Sequence, residues 1–383
     1  MGKNEFRKDA VEQQLNELRH EIDAIDLDIV NSLDKRKKVV DKIVAVERTH
    51  QLPFYHPVRE EDLISDRRGQ AIQKDIDPDY AEELFRTILR YSRTGQASKT
   101  ARKAVKPEAT ILIVGGKGGM GQYFRQWFEE TGYHVRILAR DDWADIETLA
   151  LKIDLALISV PIESTDSVIS KLGPYLPQDC ILADITSIKE SPLEAMLKAH
   201  QGPVVGFHPL FGPSTSTLDK QIIVVTPGRN PDACQWLLDQ LSAWGSIILN
   251  STAKEHDEVM GIVQTLRHFA TFAFGQFLHR KQINLKRTLE FSSPIYRLEL
   301  GMVGRLFAQD PSLYAEIIFA SPDRRRLLKE YLGSIQDNLE MIEKGEKERF
   351  QSEFNNIAEW FGAFGEQAMR ESSYLIDKLI ERF

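Results

Sequence analysis

The sequence predicts a multidomain chain in which an all-helical segment is followed by an α/β segment with a buried parallel sheet and then by a second all-helical segment. Three observations predict it. Between residues 9 and 94, apolar side chains recur every three or four positions with no sheet pattern. From Thr110 onward, short, wholly apolar runs alternate with helical stretches. From about Lys254 to the C-terminus the strand pattern disappears and helical periodicity returns. The boundaries read as 1–95 for the first segment, 96–108 for a small, polar and basic linker, 109–253 for the α/β domain and 254–383 for the last.

The first segment opens with Leu15, Leu18, Ile22, Ile25 and Ile29, and the apolar stripe resumes at Leu33, Val39, Val40, Ile43 and Val46. Neither Gly nor Pro interrupts it before Pro53. A helix from about Asp9 to Arg48 would be roughly 60 Å long at 1.5 Å per residue. Nothing else in the segment is large enough to cover such a stripe, so the expected cover is a second copy of the chain. A second helix is expected from near Val58. A third is expected from Asp77-Pro78, an N-cap with Pro at the first helical position, through Leu84, Ile88 and Tyr91.

In the α/β segment, expected strands are Ile111–Val114, Val135–Leu138, Leu155–Val160, Ile181–Asp184, Val204–Phe207 and Ile222–Val225. The first runs directly into Gly115-Gly116-Lys117-Gly118-Gly119-Met120-Gly121. Gly116, Gly118 and Gly121 fit G-x-G-x-x-G, which permits a tight turn, close backbone approach to a pyrophosphate, and packing of helix on strand. Amides at the start of the following helix, from Gly119, Met120 and Gly121, would hold phosphate charge. Strand, glycines, helix and second strand in this order predict a Rossmann dinucleotide site. Past the second strand stand Arg140 and Asp141. The acid suits the ribose 2′-hydroxyl of NAD and the base suits the 2′-phosphate of NADP, and both remain open.

Composition narrows the function classes. Of 383 residues, 49 are Lys or Arg and 57 Asp or Glu, a net charge of −8, so no global basic field attracts nucleic acid. Cys180 and Cys234 lie in apolar runs far apart, which suggests buried free thiols and no metal site. No apolar run approaches 18 residues and the N-terminus is hydrophilic, so a cytoplasmic protein is expected.

Polar signals cluster at or past the ends of strands. Asp184-Ile185-Thr186-Ser187-Ile188-Lys189 follows one, and Gly206-Phe207-His208-Pro209-Leu210-Phe211-Gly212-Pro213 covers the end of the next. A His fixed between a strand and a Pro/Gly turn suits a general base. The last segment adds Glu255-His256-Asp257, Leu266-Arg267-His268-Phe269 and Ser292-Ser293-Pro294-Ile295-Tyr296-Arg297-Leu298. Arg297 lies among apolar residues, where a guanidinium needs a carboxylate, from a bound acid or from Glu299 or Glu290.

Together these stretches resemble the bacterial T-protein family, fusions of chorismate mutase with prephenate dehydrogenase. The likeness spans nearly the whole chain and is densest in VGFHPLFGP, EHDEVMGIVQTLRHFATFA and SSPIYRLELGMVGRLFAQDPSLYAEII. It implies NAD-dependent oxidative decarboxylation of prephenate to 4-hydroxyphenylpyruvate in tyrosine biosynthesis. His208 then matches the base on the ring hydroxyl, with Ser187 near the nicotinamide and Lys189 as an electrostatic helper. Arg297 matches the carboxylate fork, and His256, His268 and Tyr296 fall in the substrate-lining stretches. It further implies a C-terminal dimerisation domain and feedback inhibition by tyrosine.

For the N-terminal helices the resemblance implies the chorismate mutase fold, with Arg19, Arg36, Arg59, Glu60, Ser92 and Gln96 at site positions. Arg19 and Arg36 are 17 residues apart on one helix, roughly 25 Å. They cannot grip one small dianion unless a partner helix runs antiparallel, which again expects a homodimer. Glu47 occupies the position of the family's essential Lys. An ionised carboxylate cannot donate to the ether oxygen of chorismate and repels its charge, which argues against mutase turnover and for a dimerisation arm. The readings that compete are an arogenate or cyclohexadienyl dehydrogenase and a non-catalytic regulatory protein that binds tyrosine or chorismate.

Overall fold

A computed structural model describes the backbone of residues 2–50, 57–99 and 103–380, and the side chains of 12–43, 46, 59–92 and 103–380. The chain divides into two compact units. One comprises Met1–Ala104 with the short segments Thr215–Lys220 and Gln240–Ser246, and the other comprises Val105–Ser214, Gln221–Asp239 and Ile247–Phe383.

In the first unit the expected helices form, each longer than periodicity indicated. α1 is Gly2–His50, α2 is Pro57–Gln73 and α3 is Pro78–Lys99, so helix continues past residue 95, where the sequence suggests a linker. The start of α3 follows the Asp77-Pro78 signal, with the Asp77 carboxylate accepting the Asp79 amide at 2.8 Å. α2 and α3 are tied by Arg68, which reaches Asp79 and Glu82 at 2.6 Å each, and by Arg86, which bonds Glu61 and Glu82. α1 is about 74 Å long at 1.5 Å per residue. Its stripe stands uncovered in the single chain: Ile22, Ile25 and Ile29 are each more than half exposed.

The second unit is built on a seven-stranded sheet. Its strands are β1 (Thr110–Val114), β2 (His134–Leu138), β3 (Leu155–Ile158), β4 (Ile181–Asp184), β5 (Val204–Pro209), β6 (Ile222–Pro227) and β7 (Ile247–Asn250), in the order β2-β1-β3-β4-β5-β6-β7. The sheet departs from the expectation twice. β6 runs antiparallel to β5, so the sheet is mixed, and β7 is an additional strand. β7 lies at the sheet edge with its side chains largely exposed, so it lacks the fully apolar run that marks the central strands. The strand order reverses between β1 and β3, and the crevice outside their C-terminal ends is where such sheets take ligands.

Helices α4 (Gly119–Thr131), α5 (Ile146–Leu149), α6 (Ile162–Leu172), α7 (Glu190–Ala199) and α8 (Gln235–Ala243) fall between the strands. Beyond β7 come α9 (Ala253–Met260), one π-helical turn over Gly261–Leu266, and α10 (Arg267–Arg280). Then follow α11 (Leu285–Glu290), α12 (Pro294–Phe307), α13 (Pro311–Phe319), α14 (Pro322–Glu343) and α15 (Lys347–Ile380). Among the described residues no helix is long and apolar enough to cross a membrane.

Candidate active site

The glycine turn joins β1 to α4 as the motif requires, with a shift in the role of each glycine. Gly115, one residue before the motif, carries the left-handed backbone at φ 83°. A Cβ there would lie 2.2 Å from the Ser159 carbonyl oxygen at the end of β3. A Cβ on Gly121 would lie 2.5 Å from the Gly115 carbonyl oxygen and 2.8 Å from Gly116 Cα, so loop and helix approach as closely as the motif demands. Gly118 precedes α4 in extended conformation, and the amides of Gly119, Met120 and Gly121 belong to its first turn. This cradle fits a dinucleotide pyrophosphate. Arg140 and Asp141 are both exposed just past β2, and Asp142 folds back to accept the Ala139 amide at 2.9 Å.

Beneath the neighbouring strands lies a buried charge cluster. Lys189 is fully buried, and its Nζ donates to Asp184 Oδ2, to the Phe207 carbonyl oxygen at 2.7 Å and toward Thr186 Oγ1 at 3.4 Å. Thr186 binds the same Asp184 oxygen through its amide and its hydroxyl. Gly206 makes room for this: a Cβ there would lie 2.3 Å from Thr226 Oγ1 and 3.1 Å from Lys189 Cδ. Burial pulls the Lys189 ammonium below its ordinary range, and Asp184 opposes that pull. All three ammonium protons meet protein acceptors, and the charge of Lys189 is one of those that act on His208. It fixes the end of β5, where His208 sits. Replacing Lys189 with Met strands the Asp184 charge in the core and is expected to cost roughly 3–5 kcal/mol of stability. Urea denaturation checks this, and a loss below 1 kcal/mol would mean that the pair is not charged in the folded protein.

His208, at the end of β5, begins a chain of polar contacts. Its Nδ1 lies 2.8 Å from His256 Nε2, and His256 Nδ1 lies 2.7 Å from Asp257 Oδ1. α9 presents this pair because Thr252 caps it by accepting the Glu255 amide at 3.1 Å. Asp257 also accepts the amides of Lys189 at 2.8 Å and Glu190 at 3.0 Å, which open α7. Burial would raise the Asp257 carboxyl, but the bonds from His256 and the two amides outweigh it and hold it below the usual range. An ionised Asp257 only accepts, so a His256 that carries one proton donates it through Nδ1 and accepts at Nε2. Against that acceptor His208 donates through Nδ1, which leaves its Nε2 lone pair to accept. Gln264, on the π-helical turn, brings its Nε2 to 3.3 Å from that lone pair.

Both ring nitrogens of His256 are bonded within the protein, one to His208 and one to Asp257. His268 is buried edge-on against Tyr314 at 4.8 Å between ring centroids. Arg297 is half-buried on α12 and its Nη2 donates to the Leu289 carbonyl oxygen at 2.7 Å. Ser293 caps the same helix at the Tyr296 amide, at 3.4 Å. Ser187 is half-buried on the loop between Thr186 and Lys189. In the first unit, Arg36 Nη1 donates to Ser92 Oγ at 2.5 Å, so two of the expected mutase-type positions meet across α1 and α3. Arg19 is exposed and bonds Asn16 at 3.1 Å, Arg59 is exposed and Glu60 half-buried. The side chains of Glu47 and Gln96 lie outside the described residues.

Burial, then His256, Lys189 and Arg324, hold His208 well below the ordinary histidine range, and burial followed by Arg267 lowers His268 to about 4. In the unfolded chain both rings take protons near pH 6.5. Between that pH and about 4 the unfolded chain therefore binds more protons, and stability falls as pH falls. It is complete above about 6.5. Urea midpoints at pH 7.5, 6 and 5 should decline in that order, and equal midpoints would show that the rings titrate normally when folded.

A glycine turn at the switch point of a Rossmann-type sheet defines the class of dinucleotide-binding proteins to which nicotinamide-dependent dehydrogenases belong. The comparisons agree. The family models matched are chorismate mutase type II over residues 18–97, the prephenate dehydrogenase nucleotide-binding domain over 130–247, and the prephenate dehydrogenase dimerization domain over 252–356. The T-protein of Enterobacter agglomerans is 42% identical over 363 residues, which cover 95% of this chain and 97% of that protein. The T-protein of Haemophilus influenzae is 38% identical, covering 96% and 97%. Prephenate dehydrogenase from Aquifex aeolicus, solved with hydroxyphenyl propionate and NAD+, has a TM-score of 0.54 at 18% identity over 65% of this chain and 96% of that one. The chain belongs to the T-protein family.

Proposed function

We propose that the chain oxidises prephenate to 4-hydroxyphenylpyruvate and carbon dioxide with NAD, and that His208 is the base. The observation that carries this is the Asp257–His256–His208 chain, which supports the acceptor tautomer of His208, its Nε2 facing Gln264. Bound NAD supplies the hydride acceptor. His208 Nε2 takes the proton of the ring hydroxyl as the carbon bearing it becomes a carbonyl. Loss of the ring carboxylate as carbon dioxide then makes the ring aromatic, so the protein chiefly orients groups and places charge. Arg297 is assigned to a substrate carboxylate, for which its fork is suited, and Ser187 to the rim near the nicotinamide. Gly116, Gly118, Gly119, Met120 and Gly121 hold the pyrophosphate. Exposed Arg140 and Asp141 stand where NAD and NADP differ, and NADP is the second cofactor to test.

The N-terminal helices have the chorismate mutase type, and the bonded Arg36–Ser92 pair supports an anion site on them. Glu47 removes the donor on which the family's mutase step depends, so the mutase is expected to be the weaker half. We assign the uncovered stripe of α1 to a homodimer contact, and tyrosine to feedback inhibition as a mimic of the product.

The deciding experiment follows nicotinamide reduction in one purified sample, with prephenate and chorismate as separate substrates and with NAD and NADP in turn. Turnover of prephenate alone makes the N-terminal helices structural. Turnover of both acids means that another donor replaces the missing Lys. No turnover of either would sink the reading in favour of a regulatory protein.

A further inference from the structure

Among the described residues one more cation acts on His208. Arg324 lies in the first turn of α14, where Ser321 caps its amide at 3.3 Å. Its side chain is 4% exposed. Nη1 donates to the Ile317 carbonyl oxygen at 2.5 Å, whereas Nη2 is buried and has no hydrogen-bond partner among the described residues. Thr265 Oγ1 points to the same Ile317 oxygen at 3.4 Å, which sets the guanidinium beside the π-helical turn. That turn also carries Gln264, whose Nε2 meets His208 Nε2 at 3.3 Å and whose Oε1 is likewise buried and unpartnered. A buried unmet donor on Arg324 and a buried unmet acceptor on Gln264 are therefore tied to the one π-helical turn that meets the proposed base. A guanidinium keeps its charge when buried, and the fold answers this charge only at longer range, through Asp257. Buried side-chain donors in folded proteins are mostly satisfied, so this unmet one calls for a partner.

We infer that Arg324 contacts the substrate, its Nη2 donating to an anionic oxygen of the acid held at His208. This rests on the proposed dehydrogenase reading and adds a residue to it. Two oxygens share the required chemistry. One is a substrate carboxylate, charged throughout; the other is the ring oxygen, which gains charge as His208 takes its proton. Burial chiefly keeps His208 unprotonated; facing it are the titratable ring of His256 and the charges of Lys189 and Arg324, so Arg324 adds to that effect.

The test compares wild type with Arg324→Met and Arg324→Lys as full-length protein, with NAD binding as the control for folding. In Arg324→Met, kcat/KM for prephenate should fall at least about tenfold, the effect of losing a charged hydrogen bond. A carboxylate contact raises KM at constant kcat, and a ring-oxygen contact lowers kcat at constant KM. The acid limb of the kcat/KM profile should move to higher pH once this cation is gone, which a merely structural side chain would not cause. An unchanged kcat/KM with an unmoved limb overturns the inference. If the Met variant does not bind NAD, Arg324→Lys decides on the same readouts. Equilibrium binding of 3-(4-hydroxyphenyl)propanoate in the presence of NAD separates the two levels of the argument. Weaker binding by the variant supports Arg324 even if wild type leaves prephenate untouched; equal affinity rejects the carboxylate contact, and equal affinity with an unchanged kcat rejects both contacts.

Discussion

Replacing His208 with Asn is expected to lower the rate of hydride transfer by about 10²–10⁴-fold while prephenate binding changes little. Asn fills nearly the same space at the end of β5 and keeps a polar tip, but it has no lone pair basic enough to take the ring hydroxyl proton. The depressed affinity of His208 for protons matters here, because the ring is unprotonated throughout the neutral range and needs no activation. Single-turnover NADH formation measures the chemical step, and equilibrium binding of prephenate to the NAD complex measures the ground state. Loss of binding as large as the loss of rate would make His208 a structural residue.

The second large effect is expected from Asp257→Asn, a change that never touches the substrate. Asp257 Oδ1 accepts from His256 and the Lys189 amide, and Oδ2 accepts from the Glu190 amide. An amide group has one acceptor, so one side of this arrangement must fail. With its NH₂ turned toward His256, Asn donates to Nδ1, and His256 must then carry its proton on Nε2. That proton is donated to His208 Nδ1, and His208 is left protonated on Nε2, unable to act as a base. With its NH₂ turned the other way, it opposes the Glu190 amide at the start of α7, at a cost of roughly 1–3 kcal/mol. Turnover is expected to drop by about 10²–10⁴-fold, the full value of the base, with NAD affinity retained. A variant with more than a tenth of wild-type turnover would show that His208 keeps its acceptor tautomer without the Asp257 charge.

Local patterns made much of this molecule readable. α1, the Asp77-Pro78 start of α3 and the glycine turn each rest on residues close in sequence, and each forms where the pattern placed it. His208 was legible because a strand end and a Pro/Gly turn constrain it. What escaped depends on side-chain direction. Lys189 follows a strand as substrate-binding residues do, but it turns inward to Asp184 because Gly206 leaves room for its stem. His256 carries a helical His with the right neighbours for a pocket, yet both nitrogens are bonded inside the fold. Arg324 stands in Asp323-Arg324-Arg325-Arg326, which reads as a solvated helix start, and only burial separates it from the two exposed arginines that follow. The reversal of β6 was hidden because an apolar strand buried in a sheet has the same composition in either direction.

The chain of contacts at His208 has a mechanical side as well. His208 belongs to the sheet, His256 and Asp257 belong to α9, and Asp257 grips the first amides of α7, so the contacts that tune the base also rivet the C-terminal helices onto the sheet. The glycine cradle, carried by β1 and α4, uses none of these rivets. Damage therefore has an order: loosening of the C-terminal helices silences the chemistry at once, while a dinucleotide can still be held by a protein that no longer turns it over.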